Sequence, residues 1–173
     1  MKTKPKVHLI CDLQFGSTGK GLLAGYLANK LEPDTVVSAW APNAGHTYID
    51  RTGRKFVHRM LPNGVVSPGL KRILLGPGSV IDLDVLNKEI ESCLDILHGV
   101  PIFIHAHAAY VRREHVDTEK KSLNRIGSTQ KGTAAANIEK MMRGPFANII
   151  KNALIETMGH PVWDRVHVVG PDE

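Results

Sequence analysis

The sequence is poor in cysteine and in aromatic rings, and it has no long apolar run. Its two cysteines, Cys11 and Cys93, stand far apart with no metal-ligand spacing around them. That excludes a disulfide framework and a zinc ribbon. Aromatic residues make up 5% of the chain, and lysine and arginine cluster only in pairs such as Arg112-Arg113 and Lys120-Lys121. A platform for single-stranded nucleic acid needs aromatic faces beside a basic groove, so that function is set aside. No apolar stretch approaches the roughly 18 residues that cross a bilayer, so no membrane partner is expected. The N-terminus follows its basic residues with only a short apolar stretch, Val7 to Cys11, too brief for a signal peptide. These absences describe a soluble protein of a reducing compartment, the cytoplasm.

What is present is enough for a packed core. The chain has 173 residues, 42% of them hydrophobic and 23% charged, which is one domain's worth of globular composition. Its net charge of +5 and isoelectric point near 9.3 fit an anionic partner. With aromatics so sparse, that charge suits small phosphorylated ligands better than nucleic acid.

Hydrophobic periodicity predicts strands alternating with helices. Val7 to Leu13 reads as a buried strand that runs into the turn Gly16-Ser17-Thr18-Gly19-Lys20-Gly21. Leu22, Leu23, Tyr26, Leu27 and Leu31 then recur at helical spacing until Pro33. Further strands are expected at Thr35 to Trp40, Phe56 to Leu61, Arg72 to Leu75, Pro101 to Ala106 and Val166 to Val169. Asp82 reads as the N-cap of a helix through Leu97, and Tyr110 to Glu119, Ile138 to Met142 and Ala147 to Met158 read as helices. Between them, Ser122 to Ala136 is rich in Gly, Ser and Thr. The pattern implies an α/β fold with a largely parallel sheet and flanking helices. Ligands of such sheets sit at the carboxyl ends of the strands, where the Gly-rich loops fall.

Two loops carry candidate chemistry. In Gly16 to Gly21, backbone N–H groups, Lys20 and a helix N-terminus make a P-loop-like strand-loop-helix anion site. It departs from the ordinary P-loop, which has a longer spacer and a Ser or Thr after the lysine. Here two residues separate the glycines and Gly21 follows Lys20. The competing reading is a plain βα turn with a surface lysine. The second loop is Asn43-Ala44-Gly45-His46-Thr47, where an imidazole beside glycine can stabilise developing negative charge. Of the nine histidines, His105 and His107 share a strand face, but no third metal ligand stands at suitable spacing.

Taken together, the first loop and Asn43-Ala44-Gly45-His46-Thr47 resemble the adenylosuccinate synthetase family. The resemblance continues through Met60-Leu61-Pro62-Asn63-Gly64, the Gly76 to Asp82 turn, Ile126-Gly127-Ser128-Thr129-Gln130-Lys131-Gly132 and Arg143, and covers most of residues 7–145. It implies a purine ligase in which a nucleoside triphosphate phosphorylates O6 of a purine monophosphate and the amine of L-aspartate displaces the phosphate. Carried over, Thr18, Gly19, Lys20, Gly21, Gly45, His46 and Thr47 bind the triphosphate. Ser17, Lys20 and His46 are the catalytic set, and Ser17 with the carbonyl of Gly45 holds Mg²⁺. Ser17, Asn43, Ser128, Thr129 and Gln130 bind the monophosphate, with Arg143 reaching in from the other subunit of a homodimer.

One departure bears on the substrate. The family loop ordinarily reads Gly-Asp-Glu-Gly-Lys-Gly, its Asp acting as base on purine N1 and as Mg²⁺ ligand; here Ser17 stands in its place. An unperturbed hydroxyl is no base near neutral pH. It does leave room for the 2-amino group of guanine and can accept its hydrogen bond. In this the chain resembles the phage-encoded branch of the family, which makes N6-succino-2-amino-2′-deoxyadenylate from dGMP, aspartate and ATP or dATP for 2-aminoadenine DNA. A phage enzyme of that kind would work in the host cytoplasm. Asp12, near the strand end, is a candidate substitute base or metal ligand, against which stands the ordinary reading of a strand residue that points elsewhere. Competing readings are an adenylosuccinate synthetase acting on IMP with GTP, a catalytically dead nucleotide-binding homologue, and a basic nucleic-acid-binding module. Family members are longer, and nothing after Arg143 resembles an aspartate-binding loop or the residues that recognise the triphosphate's base. Residues 1–173 are therefore expected to be the N-terminal part of a single α/β ligase domain and a piece of a longer chain.

Overall fold

A computed structural model describes residues 6–14, 18–122, 128–143 and 147–171. Its centre is a parallel sheet of four strands in the order β1 (Thr35–Ser38), β4 (Arg72–Leu75), β6 (Ile102–His105) and β8 (Val166–Val169). The two inner strands read Arg-Ile-Leu-Leu and Ile-Phe-Ile-His, and their alternate residues Ile73, Leu75, Ile102 and Ile104 are buried. Apolar residues on both faces suit a strand covered from both sides, as parallel sheets are. A two-stranded antiparallel pair, β2 (His46–Ile49) with β3 (Lys55–His58), and a short parallel pair, β5 (Val80–Ile81) with β7 (Ala109–Tyr110), complete the strands.

Helix α1 (Lys20–Leu31) forms where the periodicity predicts one, but a different face is buried. Gly21, Gly25 and Ala28 pack inward, while Leu22, Leu23, Tyr26 and Leu31 remain substantially exposed. The small stripe lets the helix lie against β2. A Cβ at Gly25 would sit 2.3 Å from the ring of Tyr48. Asp82 caps α2 (Leu83–Ser92) as expected, its carboxylate accepting from the Val85 amide at 3.0 Å. The predicted single helix to Leu97 breaks at Cys93 and resumes as α3 (Leu94–Leu97). The Ser92 hydroxyl donates to the Glu89 carbonyl at 2.8 Å, a local competitor for the helical ladder.

The expected strand from Val7 to Leu13 is a correction. Residues 6–14 join no sheet, and Val7, Leu9 and Leu13 are 84–100% exposed. A strand is made by its partners, and among the described residues β1 pairs with β4 alone, so this apolar run gains no ladder. The strand expected to open the P-loop-like unit is thus absent among the described residues, while its helix is present. Smaller differences follow the same tertiary logic. His46 opens a strand rather than sitting in a loop, Ala109–Tyr110 is a strand before α4 (Arg113–Ser122), and α5 (Thr133–Met141) begins inside the stretch read as loop. The last predicted helix shortens to α6 (Ile150–Glu156). Both Cys11 and Cys93 are free. No helix of the described residues is long and apolar enough to cross a membrane.

Candidate nucleotide site

The N-terminus of α1 starts on Gly19, whose φ of 85° is a left-handed conformation that glycine adopts without strain. No side chain caps this helix end, so its first amides face outward, available to an anion. Gly21 follows because nothing larger fits. A Cβ there would lie 2.7 Å from the Cβ of His46 and 2.9 Å from Nδ2 of Asn63. Asn63, fully buried, holds this turn by donating to the Gly21 carbonyl at 3.1 Å. In the sequence Asn63 stands only within the Met60 to Gly64 stretch of the family resemblance, and nothing there marks it as a brace.

Two predicted loops therefore meet in space. His46 packs against the phosphate-loop glycine, and its ring stacks on Trp40 with centroids 3.6 Å apart and planes 19° apart. Partial burial lowers the imidazole's pKa, and the nearby charge of Lys20 lowers it further, so His46 is neutral at physiological pH. Lys20 pairs with the carboxylate of Asp12, which also accepts from the Thr18 hydroxyl. Asn43 and Gly45 are exposed on the loop before β2, and Thr47 alternates to the face of β2 opposite His46. Gly16 and Ser17 lie outside the described residues.

The second predicted region is tied to the same edge of the sheet. The turn after β4 is stitched to the chain after β1, Gly76 N to Ser38 O at 2.8 Å and Val80 N to Trp40 O at 3.0 Å. Lys140 of α5 donates to the Pro77 carbonyl of that turn. Ahead of α5, the amide of Gln130 donates to the Ser128 hydroxyl, and Gln130 has a φ of 52°. Amides at the helix's own N-terminus are already engaged. Buried Glu119 accepts from Gly132 N, Ala134 N and Ala135 N, so this helix start is capped by a carboxylate, and Ser128, Thr129 and Gln130 lie ahead of it. Glu119 was not predicted as functional; a glutamate on a charged helix gives no sign that it caps a neighbour. Arg143, exposed just past α5, has a φ of 50°. Ile126 and Gly127 lie outside the described residues. His105 and His107 do approach, with ring centroids 5.4 Å apart, but no group of three or more His, Cys, Asp or Glu forms a metal cage among the described residues.

A parallel α/β sheet carries an uncapped Gly-Lys-Gly helix start packed against His46 at the head of β2, an arrangement that suits an anion. The adenylosuccinate synthetase family profile matches residues 9–155, and the chain belongs to that family. It is 48% identical over 170 residues to the N6-succino-2-amino-2′-deoxyadenylate synthase of Salmonella phage PMBT28, covering 98% of this chain and 46% of that one. It is 34% identical over 139 residues to the adenylosuccinate synthetase of Methanococcus vannielii, covering 78% of this chain and 40% of that one. Its fold is similar to that of cyanophage S-2L succinoaminodeoxyadenylate synthetase, solved with dGMP and with dATP as an energy donor. The TM-score is 0.81 at 44% identity, over 92% of this chain and 44% of that one. The chain spans less than half the length of these relatives.

Proposed function

We propose that this chain carries the nucleotide-activating part of a ligase that joins dGMP to L-aspartate. ATP or dATP drives the reaction through a 6-phosphoryl intermediate, and N6-succino-2-amino-2′-deoxyadenylate is the product. The observation that carries the reading is the contrast in identity, 48% to the phage synthase against 34% to the adenylosuccinate synthetase. Serine at position 17, in a loop that ordinarily bears aspartate, points the same way.

The chemistry follows from the residues. A 6-oxo group leaves poorly until it is phosphorylated, so the site must first stabilise a phosphoryl group in flight. Lys20 and the open amides of α1 neutralise the triphosphate, and neutral His46 donates a hydrogen bond to the transferring group. Thr18, Gly21, Gly45 and Thr47 complete the triphosphate contacts. Ser128, Thr129 and Gln130 take the 5′-phosphate, Asn43 and Ser17 face the base, and Arg143 comes from a second copy.

Mg²⁺ fits the donor set. The loops offer hydroxyl and carbonyl oxygens, and Asp12 ahead of the first loop offers a carboxylate, the hard ligands Mg²⁺ prefers. With no all-protein cage among the described residues, the ion would be shared with substrate phosphates, as is usual for it. Ser17 and the Gly45 carbonyl would hold it, and when bound it neutralises charge on the phosphates.

The test is product formation by protein expressed from its complete reading frame, supplied with aspartate, Mg²⁺ and either dGMP with ATP or dATP, or IMP with GTP. Turnover of dGMP with little turnover of IMP is expected, and Ser17→Asp should lower dGMP use by crowding the 2-amino group. Equal rates on IMP and dGMP would overturn the choice of substrate.

A further inference from the structure

We infer that Asp12 supplies the magnesium-ligating carboxylate of the phosphate loop, an inference that rests on the ligase reading above. The sequence from Gly16 to Gly21 holds no acidic residue. An acid-free loop can bind phosphate but offers poor anchorage for a divalent cation. The nearest carboxylate upstream is Asp12, and it is not left in solvent. Its side chain is 18% exposed while its neighbour Leu13 is fully exposed, so the chain turns the acid inward and the hydrophobe outward. That is the reverse of what transfer free energies alone would choose. Specific partners account for it: Oδ2 pairs with Nζ of Lys20, and Oδ1 accepts from the hydroxyl of Thr18.

A carboxylate in contact with a loop hydroxyl is the donor pair that holds Mg²⁺ in P-loop nucleotide enzymes. In those loops the hydroxyl follows the lysine. Here Gly21 follows Lys20 because His46 and Asn63 leave no room for a side chain, and the hydroxyl comes instead from Thr18, ahead of the lysine. The donor pair is rebuilt from the other side of the loop. With no nucleotide bound, Lys20 neutralises Asp12. When a triphosphate arrives, Lys20 turns to the phosphates, and the freed carboxylate would repel them unless a cation comes between. Asp12 therefore couples metal and nucleotide, opposing nucleotide binding without Mg²⁺ and favouring it with Mg²⁺.

The experiment uses protein from the complete reading frame, with Mn²⁺ as the spectroscopic probe and a non-hydrolysable ATP analogue. Paramagnetic resonance reads free Mn²⁺, and calorimetry reads the analogue. Wild-type protein should bind Mn²⁺ far more tightly once the analogue is present. Asp12→Asn should lose at least tenfold of that affinity, since partners beyond the direct ligands already tune metal affinity by about 10–100-fold. The same variant should bind the analogue without metal as well as wild type or better, which a misfolded loop would not do. Asp12→Glu keeps the carboxylate and should recover part of the metal affinity. Metal affinity within twofold of wild type in Asp12→Asn would overturn the assignment. So would normal metal binding accompanied by a shifted acid limb in the pH–rate profile, which would make Asp12 a proton acceptor instead. A wild-type protein that shows the Asp12-dependent coupling yet makes no product from dGMP would instead sink the ligase reading and leave this one standing.

Discussion

At the scale of single residues, the site turns on the protonation of His46. Burial against Trp40 and the charge of Lys20 both lower its pKa, which favours the neutral imidazole, and in the proposed reaction His46 would act as a hydrogen-bond donor to the phosphoryl group. A neutral imidazole binds ground-state phosphate weakly and contributes most where charge builds up, in the transferring group. His46→Asn keeps a small polar side chain but loses the ring that stacks on Trp40 and the Nε2 donor, whose reach the shorter amide does not match. It should therefore bind nucleotide close to normally and form the 6-phosphoryl intermediate about 10²–10³-fold more slowly, the usual effect of losing one such donor. Single-turnover formation of the intermediate, read beside nucleotide affinity, checks this; an unchanged rate would leave the loop a structural element only. The meeting of His46 with Gly21 was legible in the sequence only through the family resemblance. Nothing in the spacing of either loop says that a missing Cβ at Gly21 is what lets them touch.

At the scale of elements, the sequence pattern located most boundaries, expected one strand that joins no sheet and misjudged one helix face. Strands Arg72–Leu75 and Val166–Val169 fall where alternation and breakers place them, because their apolar residues have neighbours in the sheet to bury against. Val7 to Leu13 has the same local pattern and joins no sheet, since pairing is a tertiary property that a run of residues does not encode. In α1 the leucines drew attention to the wrong side. The helix docks through Gly21, Gly25 and Ala28, and the telling signal was the recurrence of small residues at helical spacing. This gives a sharp prediction. Gly25→Ala would raise helix propensity on an exposed helix, yet here its methyl would run into the ring of Tyr48. Overpacking should exceed the propensity gain and destabilise the protein by roughly 1–3 kcal/mol. Thermal unfolding of Gly25→Ala beside Gly25→Ala/Tyr48→Leu tests it. Relief in the double variant is expected, and a Gly25→Ala protein as stable as wild type would refute the close approach.

At the scale of the whole molecule, the carboxyl edge of the sheet gathers the parts proposed to handle phosphate. The turn after β4 is bonded to the chain leading to Trp40 and His46, and Lys140 ties α5 to that turn, so the two predicted loops share one framework. Arg143 follows α5 and stands exposed. If Arg143 completes the monophosphate site of a partner subunit, the protein should be a homodimer in which each site draws Lys20 from one chain and Arg143 from the other. Arg143→Leu should then weaken dGMP binding by about 1.5–3 kcal/mol, the scale of a hydrogen bond to a charged group. Lys20→Ala should abolish phosphoryl transfer in the site of its own chain. Mixed after dissociation, the two inactive proteins should regain activity. A heterodimer holds one whole site, made of Lys20 from the Arg143→Leu chain and Arg143 from the Lys20→Ala chain. Activity measured against the mixing ratio, beside the mass in solution, decides the matter. A monomeric mass with no recovery at any ratio would show that Arg143 acts within its own chain or not at all.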